Sequence, residues 1–209
     1  KNREGFTNQI NAHDEDSCAP NVSIDYSAVD MAYFSVQKCF GLPAGLGVWI
    51  VNDRCINKAE KLLNEGLSIG SYHSLPEMML KAEKYQTPET PNVLGIFMLG
   101  KVAEDMLAKG LDMIRRETDY KAAVLYNAID QSQILTPFVK QKNHQSKTTI
   151  VAESAINSGE IIDSLSKKGM VIGSGYGVYK SDHIRIANFP THSKEHVEFL
   201  ADELLKIKD

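Results

Sequence analysis

Lys38 has the surroundings that most clearly favour chemistry in this chain of 209 residues. An apolar run at residues 29–34 precedes it, a turn rich in glycine and proline follows it, and a second apolar run comes at residues 48–51. Burial disfavours the charged form of a lysine, and the neutral amine that results is a nucleophile that forms Schiff bases with carbonyl cofactors. The stretch therefore predicts a cofactor-binding lysine at the end of a strand. The alternative is a lysine that swings out to solvent.

The residues around Lys38 follow a defined order. Six of them match the pattern Ser/Ala-x-Gln-Lys followed by Pro-x-Gly-Leu, namely Ser35, Gln37, Lys38, Pro43, Gly45 and Leu46. This pattern resembles the pyridoxal-phosphate lysine of class V aminotransferases, most closely the phosphoserine aminotransferase branch. The resemblance implies an α/β protein of PLP-dependent fold type I that transfers an amino group between an amino acid and a 2-oxo acid through a Schiff base on Lys38. It also implies a cytoplasmic homodimer with a role in serine biosynthesis.

The same resemblance assigns roles to three residues upstream of the lysine. Asp14 lies 24 residues before Lys38, in an Asp-x-x-Ser pattern that in the family supplies the partner of the cofactor's pyridine nitrogen. An anion there keeps the ring nitrogen protonated, so that the ring can accept electrons when the substrate Cα–H bond is broken. Gln37 and Ser35 would contact the cofactor phosphate or support its loop. A solvated acidic loop is the alternative interpretation of Asp14 and its neighbours.

Four further site residues follow from comparison with the family later in the chain. Residues 86–91 resemble the family's Asn-Thr-Pro-Pro-Thr segment, in which the first two residues reach the partner subunit's cofactor phosphate; Thr87 matches and Gln86 replaces the asparagine. A proline-stiffened linker is the alternative. Arg185 matches the arginine that binds the substrate α-carboxylate, a task that suits a planar guanidinium. His73 lies where the family has an interface loop and is a candidate for substrate binding.

One departure from the family concerns the substrate. Phosphoserine aminotransferases usually carry a His-Arg pair a few residues before the carboxylate-binding arginine. In this chain the corresponding residues, 175–180, contain Lys180 as their only cation. The departure argues against phosphoserine as the substrate, whereas Arg185 retains the carboxylate site.

Composition excludes several other classes of protein. The net charge of −4 gives no basic surface for nucleic acid, and no apolar run approaches the ~20 residues that span a bilayer. The three cysteines have no metal-ligand spacing and fit reduced thiols of a cytoplasmic protein better than a disulfide framework. The sequence therefore predicts no metal, no nucleic acid partner and no membrane partner.

Hydrophobic periodicity predicts alternating strands and helices that divide near residue 105. By the resemblance, residues 1–105 are the later part of a PLP-binding large domain, and residues 106–209 are a C-terminal small α/β domain. Residues 1–20 are predicted to be irregular. The predicted strands are 29–34, 48–51, 147–153, 170–179 and 183–189, the fourth of them interrupted by glycines. The predicted helices are 56–64, 75–85, 92–117, 118–132, 158–168 and 192–208, and Gly110 is a point at which the helix at 92–117 could kink or divide.

Only 37 residues precede Lys38, whereas the family places a phosphate-binding turn and a ring-stacking aromatic residue before its lysine. The resemblance thus indicates a chain that lacks the N-terminal part. Two alternatives to a transaminase stay open. One is a PLP-dependent lyase or desulfurase of the same fold, against which Gln37 argues because cysteine desulfurases typically carry histidine there. The other is a non-catalytic fragment that supplies a dimer surface.

Overall fold

The computed structural model describes residues 9–71 and 73–208. The chain divides into two compact units. The first unit comprises the chain up to Asp16 together with Ser23–Gln37 and Leu42–Lys101, and the second comprises Ser17–Val22, Lys38–Gly41 and the chain from Val102 onward.

The first unit contains a sheet of three strands among its described residues, in the order β1-β2-β3. The strands are β1 (Ala12–Asp14), β2 (Met31–Ser35) and β3 (Gly47–Val51). β1 runs parallel to β2 with Asp14 opposite Tyr33, and β2 runs antiparallel to β3. The parallel pair matters for the site because the carboxyl ends of parallel strands lie at one edge of a sheet.

Two helices follow this sheet in the first unit, and a third crosses the boundary at residue 101. They are α1 (Asp53–Asn64), α2 (Leu75–Ala82) and α3 (Val93–Lys109). The Asn52 side chain caps α1 by accepting hydrogen bonds from the backbone N–H groups of Arg54 and Cys55. Arg54 also pairs with the buried Asp30 at 2.8 Å, so the start of α1 is tied to the start of β2.

The second unit packs three helices and a four-stranded antiparallel sheet around one core. Its elements are α4 (Leu111–Gln131), β4 (Leu135–Pro137), β5 (Thr149–Ser154), α5 (Ser158–Ser166), β6 (Gly173–Ser174), β7 (His183–Ala187) and α6 (Lys194–Lys206), with the sheet order β4-β5-β7-β6. The core residues include Leu125, Ile129, Ile150, Ile161, Leu165, Ile184, Ile186, Val197 and Leu204. Alternate residues of β5 and β7 thus face the three helices, as a sheet with one covered face requires.

Four expectations from the sequence are wrong in detail. The helix predicted for 92–117 is divided at Gly110, the position that the sequence offered for a kink or a division, because Gly110 adopts a φ of 87° that interrupts helical geometry. The boundary expected between residues 117 and 118 is therefore wrong, since α4 begins at Leu111. The segment of 1–20 expected to be irregular contains β1; its residues 1–8 lie outside the described part. The short β4 was not predicted.

The strand predicted for 170–179 is the fourth error, since only Gly173–Ser174 pair with β7. Gly175 and Gly177 explain why the strand stops. A Cβ on Gly175 would lie 2.0 Å from the carbonyl oxygen of Tyr179, and Gly177 has a φ of 54°. These glycines fold the chain back on itself into a 3-10 turn at Gly177–Tyr179.

Candidate functional site

Asp14 is held at the carboxyl end of β1 by the strand next to it. Its carboxylate is hydrogen-bonded to the Tyr33 hydroxyl, and this bond raises the pKa of the Tyr33 phenol. The backbone N–H of Asp16 donates to Asp14 Oδ1 at 2.9 Å. The side chain nevertheless stays exposed in this chain. Asp14 is therefore an oriented anion that can still accept a further hydrogen bond.

Ser35 and Gln37 follow the carboxyl end of β2, at the same sheet edge as Asp14. The Ser35 N–H donates to Asp16 Oδ1 at 3.1 Å, so the two strand ends are joined by a side chain as well as by pairing. Between Ser35 and Gln37 lies the buried Val36, whose N–H donates to the carbonyl of Leu46 at 3.2 Å. Three of the predicted site residues thus lie along one edge of the first unit.

Lys38 begins a tight turn in the second unit. The Gly41 N–H donates to the Lys38 carbonyl oxygen at 2.9 Å, and Gly41 has a φ of 65° that favours glycine. Cys39 is buried within this turn, where its thiol donates to the carbonyl of Ser17 at 3.2 Å. Lys38 itself is half-buried. The Gly41 bond and the Cys39 bond thus hold the turn that begins at Lys38 within the second unit.

Arg185 lies in the middle of β7 and is oriented by two neighbours from the β6 region. Its Nε donates to the Ser174 carbonyl at 2.6 Å, and its guanidinium carbon lies 3.6 Å from the centre of the Tyr176 ring. The bond to Ser174 does not use the two Nη groups, which form the fork that meets a carboxylate. Gly173 provides the space, since a Cβ there would lie 3.2 Å from Arg185 Nη2.

Two of the predicted interface residues in the first unit, His73 and Thr87, contact Glu89. His73 Nε2 lies 2.8 Å from Glu89 Oε1, and the Thr87 hydroxyl donates to the Glu89 carbonyl oxygen at 2.6 Å. The Gln86 N–H donates to the carbonyl of Lys81 at the end of α2. His73, Gln86 and Thr87 are all exposed. The structure brings the histidine to the proline-rich segment, where it contacts an acidic residue.

Comparison with known proteins identifies the family. The pattern of the class V aminotransferases matches residues 15–190. This chain belongs to the class V aminotransferase family. A solved phosphoserine aminotransferase from Cytophaga hutchinsonii is 48% identical, with a TM-score of 0.88 over 94% of this chain and 55% of its own. An aspartate aminotransferase from Thermus thermophilus shares the PLP-dependent fold type I at 18% identity, with a TM-score of 0.78 over 93% of this chain and 54% of its own.

Sequence relatives agree with these structures. A phosphoserine aminotransferase from Rhodococcus opacus is 26% identical over 96% of this chain and 54% of its own length. One from Corynebacterium glutamicum is 27% identical over 99% of this chain and 56% of its own length. The chain therefore spans about half the length of the relatives that it matches.

Membership of this class V family implies pyridoxal 5′-phosphate as the cofactor, and a phosphoserine aminotransferase from Trichomonas vaginalis with the same fold was solved with PLP bound. The donor groups on this chain fit PLP. The exposed and oriented Asp14 carboxylate suits a protonated ring nitrogen, and the Lys38 amine suits an aldehyde. No cluster of three histidine, cysteine, aspartate or glutamate side chains that could hold a metal occurs among residues 9–71 and 73–208. In the same residues no helix is both long and apolar enough to cross a membrane.

Sequence reasoning missed Lys121, Gly173 and Tyr176. Lys121 is 2% exposed and lies on the core face of α4. Lys121 follows Thr118 by three residues and precedes Leu125 by four. This helical spacing puts the three residues on one face and is the signal that could have revealed Lys121. Nothing in the sequence distinguishes Tyr176 or Gly173 from ordinary loop residues, because their role depends on where β7 places Arg185.

Proposed function

We propose that this chain is the later part of a PLP-dependent aminotransferase that transfers an amino group between an amino acid and a 2-oxo acid. The observation that carries the proposal is the parallel pairing of β1 with β2. It puts Asp14 at the same sheet edge as Ser35 and Gln37, the residues that lead directly into Lys38. In this interpretation residues 1–105 belong to the large domain and residues 106–209 form the small domain.

When bound, PLP supplies an electron sink for the electron pair of a breaking substrate bond. Asp14 keeps the ring nitrogen protonated, and the Tyr33 hydroxyl holds the carboxylate in place for that task. Lys38 would hold the cofactor through its amine, and the same amine would accept the proton from the substrate Cα. Ser35 and Gln37 support the phosphate end of the cofactor.

Arg185 binds the substrate α-carboxylate through its two Nη groups. The bond from Nε to Ser174 and the stacking on Tyr176 fix the plane of the guanidinium before a substrate arrives. Such preorganisation lowers the entropy cost of binding. The carboxylate is shared by every amino acid and 2-oxo acid, so Arg185 serves both halves of the exchange.

Gln86 and Thr87 are proposed to act across a homodimer interface, at the partner subunit's cofactor phosphate. Their exposure in this chain agrees with that role. His73 supports the same segment through its contact with Glu89, and we propose that it also binds substrate at the interface.

The identity of the amino donor depends on how the chain would recognise a substrate phosphate. The named relatives favour phosphoserine, and the 48% identity to the Cytophaga hutchinsonii protein favours it most. Lys180 is the only cation in residues 175–180, so a phosphate would be recognised differently from the family's usual His-Arg pair. We propose a serine-type amino acid as donor, with its phosphate ester as the first substrate to assay.

Covalent trapping tests the assignment of Lys38. The chain is incubated with PLP, reduced with borohydride and mapped by peptide mass spectrometry. The adduct is expected on Lys38 in the wild type and in a Lys140→Ala control, which removes an exposed lysine, and is expected to be absent from Lys38→Ala. An adduct spread over exposed lysines, and equal in Lys38→Ala, would refute the assignment.

Product analysis then separates the reaction classes. Transfer of the amino group from phosphoserine or serine to 2-oxoglutarate supports the transaminase. Release of ammonia or sulfide without transfer supports a lyase or desulfurase instead. A chain that neither traps PLP nor turns over an amino acid is the non-catalytic fragment.

A further inference from the structure

Lys121 is a buried cation that has no part in the proposed cofactor and substrate sites. Its ammonium group donates to the carbonyl oxygen of Phe189 at 2.8 Å and to that of His192 at 2.7 Å. Burial lowers the pKa of Lys121. A buried charge destabilises a fold unless hydrogen bonds compensate it, and truncating such a group leaves its partners unsatisfied. Lys121 therefore holds two backbone carbonyls of the chain that follows β7.

Both carbonyls belong to residues 188–193, which join β7 to α6 and are called here the β7–α6 connection. Its first residue, Asn188, is fully buried and donates from Nδ2 to the carbonyls of Thr118 at 3.0 Å and Lys147 at 2.8 Å. The Asn188 N–H donates to the Thr148 carbonyl at 2.8 Å. Asn188 and Lys121 thus fasten the connection to α4 at its beginning and near its end.

The β7–α6 connection also touches the turn that begins at Lys38. A Cβ on Gly41 would lie 2.2 Å from Thr191 Cγ2, so the threonine methyl packs directly on the glycine backbone. Gly41 closes the turn by donating to the Lys38 carbonyl. Thr191 lies between Phe189 and His192, the two residues that Lys121 holds. All of these residues belong to the second unit.

We infer that Lys121 is a positioning residue that locks the β7–α6 connection onto α4 and, through Thr191, fixes the Lys38 turn relative to the strand that carries Arg185. Arg185 lies three residues before Asn188 on β7. One buried ammonium group thereby sets the backbone on which both the cofactor lysine and the carboxylate-binding arginine depend. The part of this inference that concerns reaction geometry rests on the proposed function; the mechanical coupling does not.

The chemistry of the connection explains why the position holds a lysine. The Phe189 carbonyl accepts one hydrogen bond inside the irregular segment, from the His192 N–H at 3.0 Å, and Lys121 gives it a second donor. Lys121 also donates to the His192 carbonyl, which belongs to the same segment. A lysine ammonium carries three N–H donors at the end of a flexible stem, so it can reach both oxygens from inside a helix. Methionine has a similar length and no donor, which makes Lys121→Met the informative substitution.

Amide hydrogen exchange on the whole chain, without cofactor, tests the coupling. In Lys121→Met the N–H groups of Gly41 and His192, both hydrogen-bonded in the structure, are expected to exchange at least about tenfold faster, since a hydrogen bond to a charged group contributes about 1.5–3 kcal/mol. The amides of α5 are expected to keep their wild-type rates. Lys147→Met is the control, because it removes an exposed lysine that pairs with Asp119 of α4 at 2.9 Å.

Two results would overturn the inference. If amide exchange becomes faster at His192 but not at Gly41, Lys121 holds the connection without fixing the Lys38 turn. If amide exchange in α5 becomes faster by as much as it does at Gly41, the substitution acts through general destabilisation. Thr191→Ser covers the case in which Lys121→Met does not fold, since it removes the methyl group on Gly41 and leaves the Lys121 bonds intact. Thr191→Ser should accelerate amide exchange at Gly41 and not at His192. An unchanged exchange rate at Gly41 would contradict the coupling.

A second readout links the coupling to the reaction and separates the two proposals. If trapping occurs on Lys38, Lys121→Met is expected to slow it several-fold while Lys147→Met does not. If Lys38 is never trapped, the proposed function fails, and the exchange rates at Gly41 and His192 still decide whether the coupling exists.

Discussion

Arg185 illustrates how a single residue depends on backbone that the sequence does not reveal. Its side chain could rotate freely on an exposed strand, yet here Ser174 and Tyr176 restrict it to one plane. The guanidinium fits in that orientation because Gly173, which pairs with Arg185 across β6 and β7, has no side chain. In the proposed function, the glycine therefore contributes to carboxylate binding through Arg185, without contacting the carboxylate itself.

Gly173→Ala should weaken substrate binding. The added Cβ would lie 3.2 Å from Nη2, so the guanidinium must shift by a few tenths of an ångström. We expect KM for the amino donor to rise about threefold to tenfold, equivalent to about 0.7–1.4 kcal/mol, with a smaller change in kcat. Steady-state kinetics measure this. Gly100→Ala is the control, because a Cβ there meets nothing within 4 Å; equal KM changes in both variants would refute the role of Gly173.

The elements show which parts of the fold could be predicted from sequence. The N-caps Asn52 and Ser193 belong to the part of the fold that a sequence can indicate, because a side-chain acceptor before an apolar pattern is a local signal. The three-residue strands β1 and β4 were missed, since such strands form through pairing with distant partners rather than through their own preferences. Asp14 was identified by its spacing from Lys38, whereas its parallel pairing with β2 could not be predicted.

Lys121 was missed for a different physical reason. A lysine on a helix is ordinarily exposed, and its burial here depends on carbonyls that lie 68 and 71 residues away in the sequence. Helical spacing could place it on the core face of α4. Only the folded β7–α6 connection supplies the acceptors that make that placement stable.

Glu203 on α6 makes the stability of the second unit depend on pH. This buried carboxylate accepts hydrogen bonds from Lys168 and Lys206, and these bonds lower its pKa below the ordinary value. The unfolded chain therefore binds the proton more readily than the folded chain does. The stabilising contribution is complete above the unfolded pKa, near 4.5, and is lost as the pH falls through the lower folded pKa.

Glu203→Gln should accordingly destabilise the protein at pH 7 and have progressively less effect as the pH falls below about 4.5. Urea unfolding of both proteins from pH 3 to pH 7 measures the difference in free energy of unfolding. Asp202→Asn, at the exposed neighbouring position on α6, is the control and should show little change over this range. A difference for Glu203→Gln that stays constant with pH would contradict the assignment.

At the scale of the whole molecule, the two units differ in how completely they bury apolar surface. The hydrophobic core of the second unit is drawn entirely from residues between Leu125 and Leu204. In α3, by contrast, no described residue is buried, and Val93, Leu94 and Phe97 are each more than 60% exposed. Large exposed apolar surfaces usually mark interaction sites. The chain spans about half the length of the relatives that it matches.

This contrast predicts that residues 102–208 fold on their own. The core residues between Leu125 and Leu204 are all retained, so we expect a cooperative thermal transition by circular dichroism and slow amide exchange along the β5–β7 pairing. The β7–α6 connection should exchange faster than in the whole chain, because the fragment lacks Gly41, on which Thr191 packs. A fragment without cooperative unfolding would show that the second unit needs the first. A connection that stays fully protected would show that Gly41 contributes nothing to its order, and that Lys121 and Asn188 hold it alone.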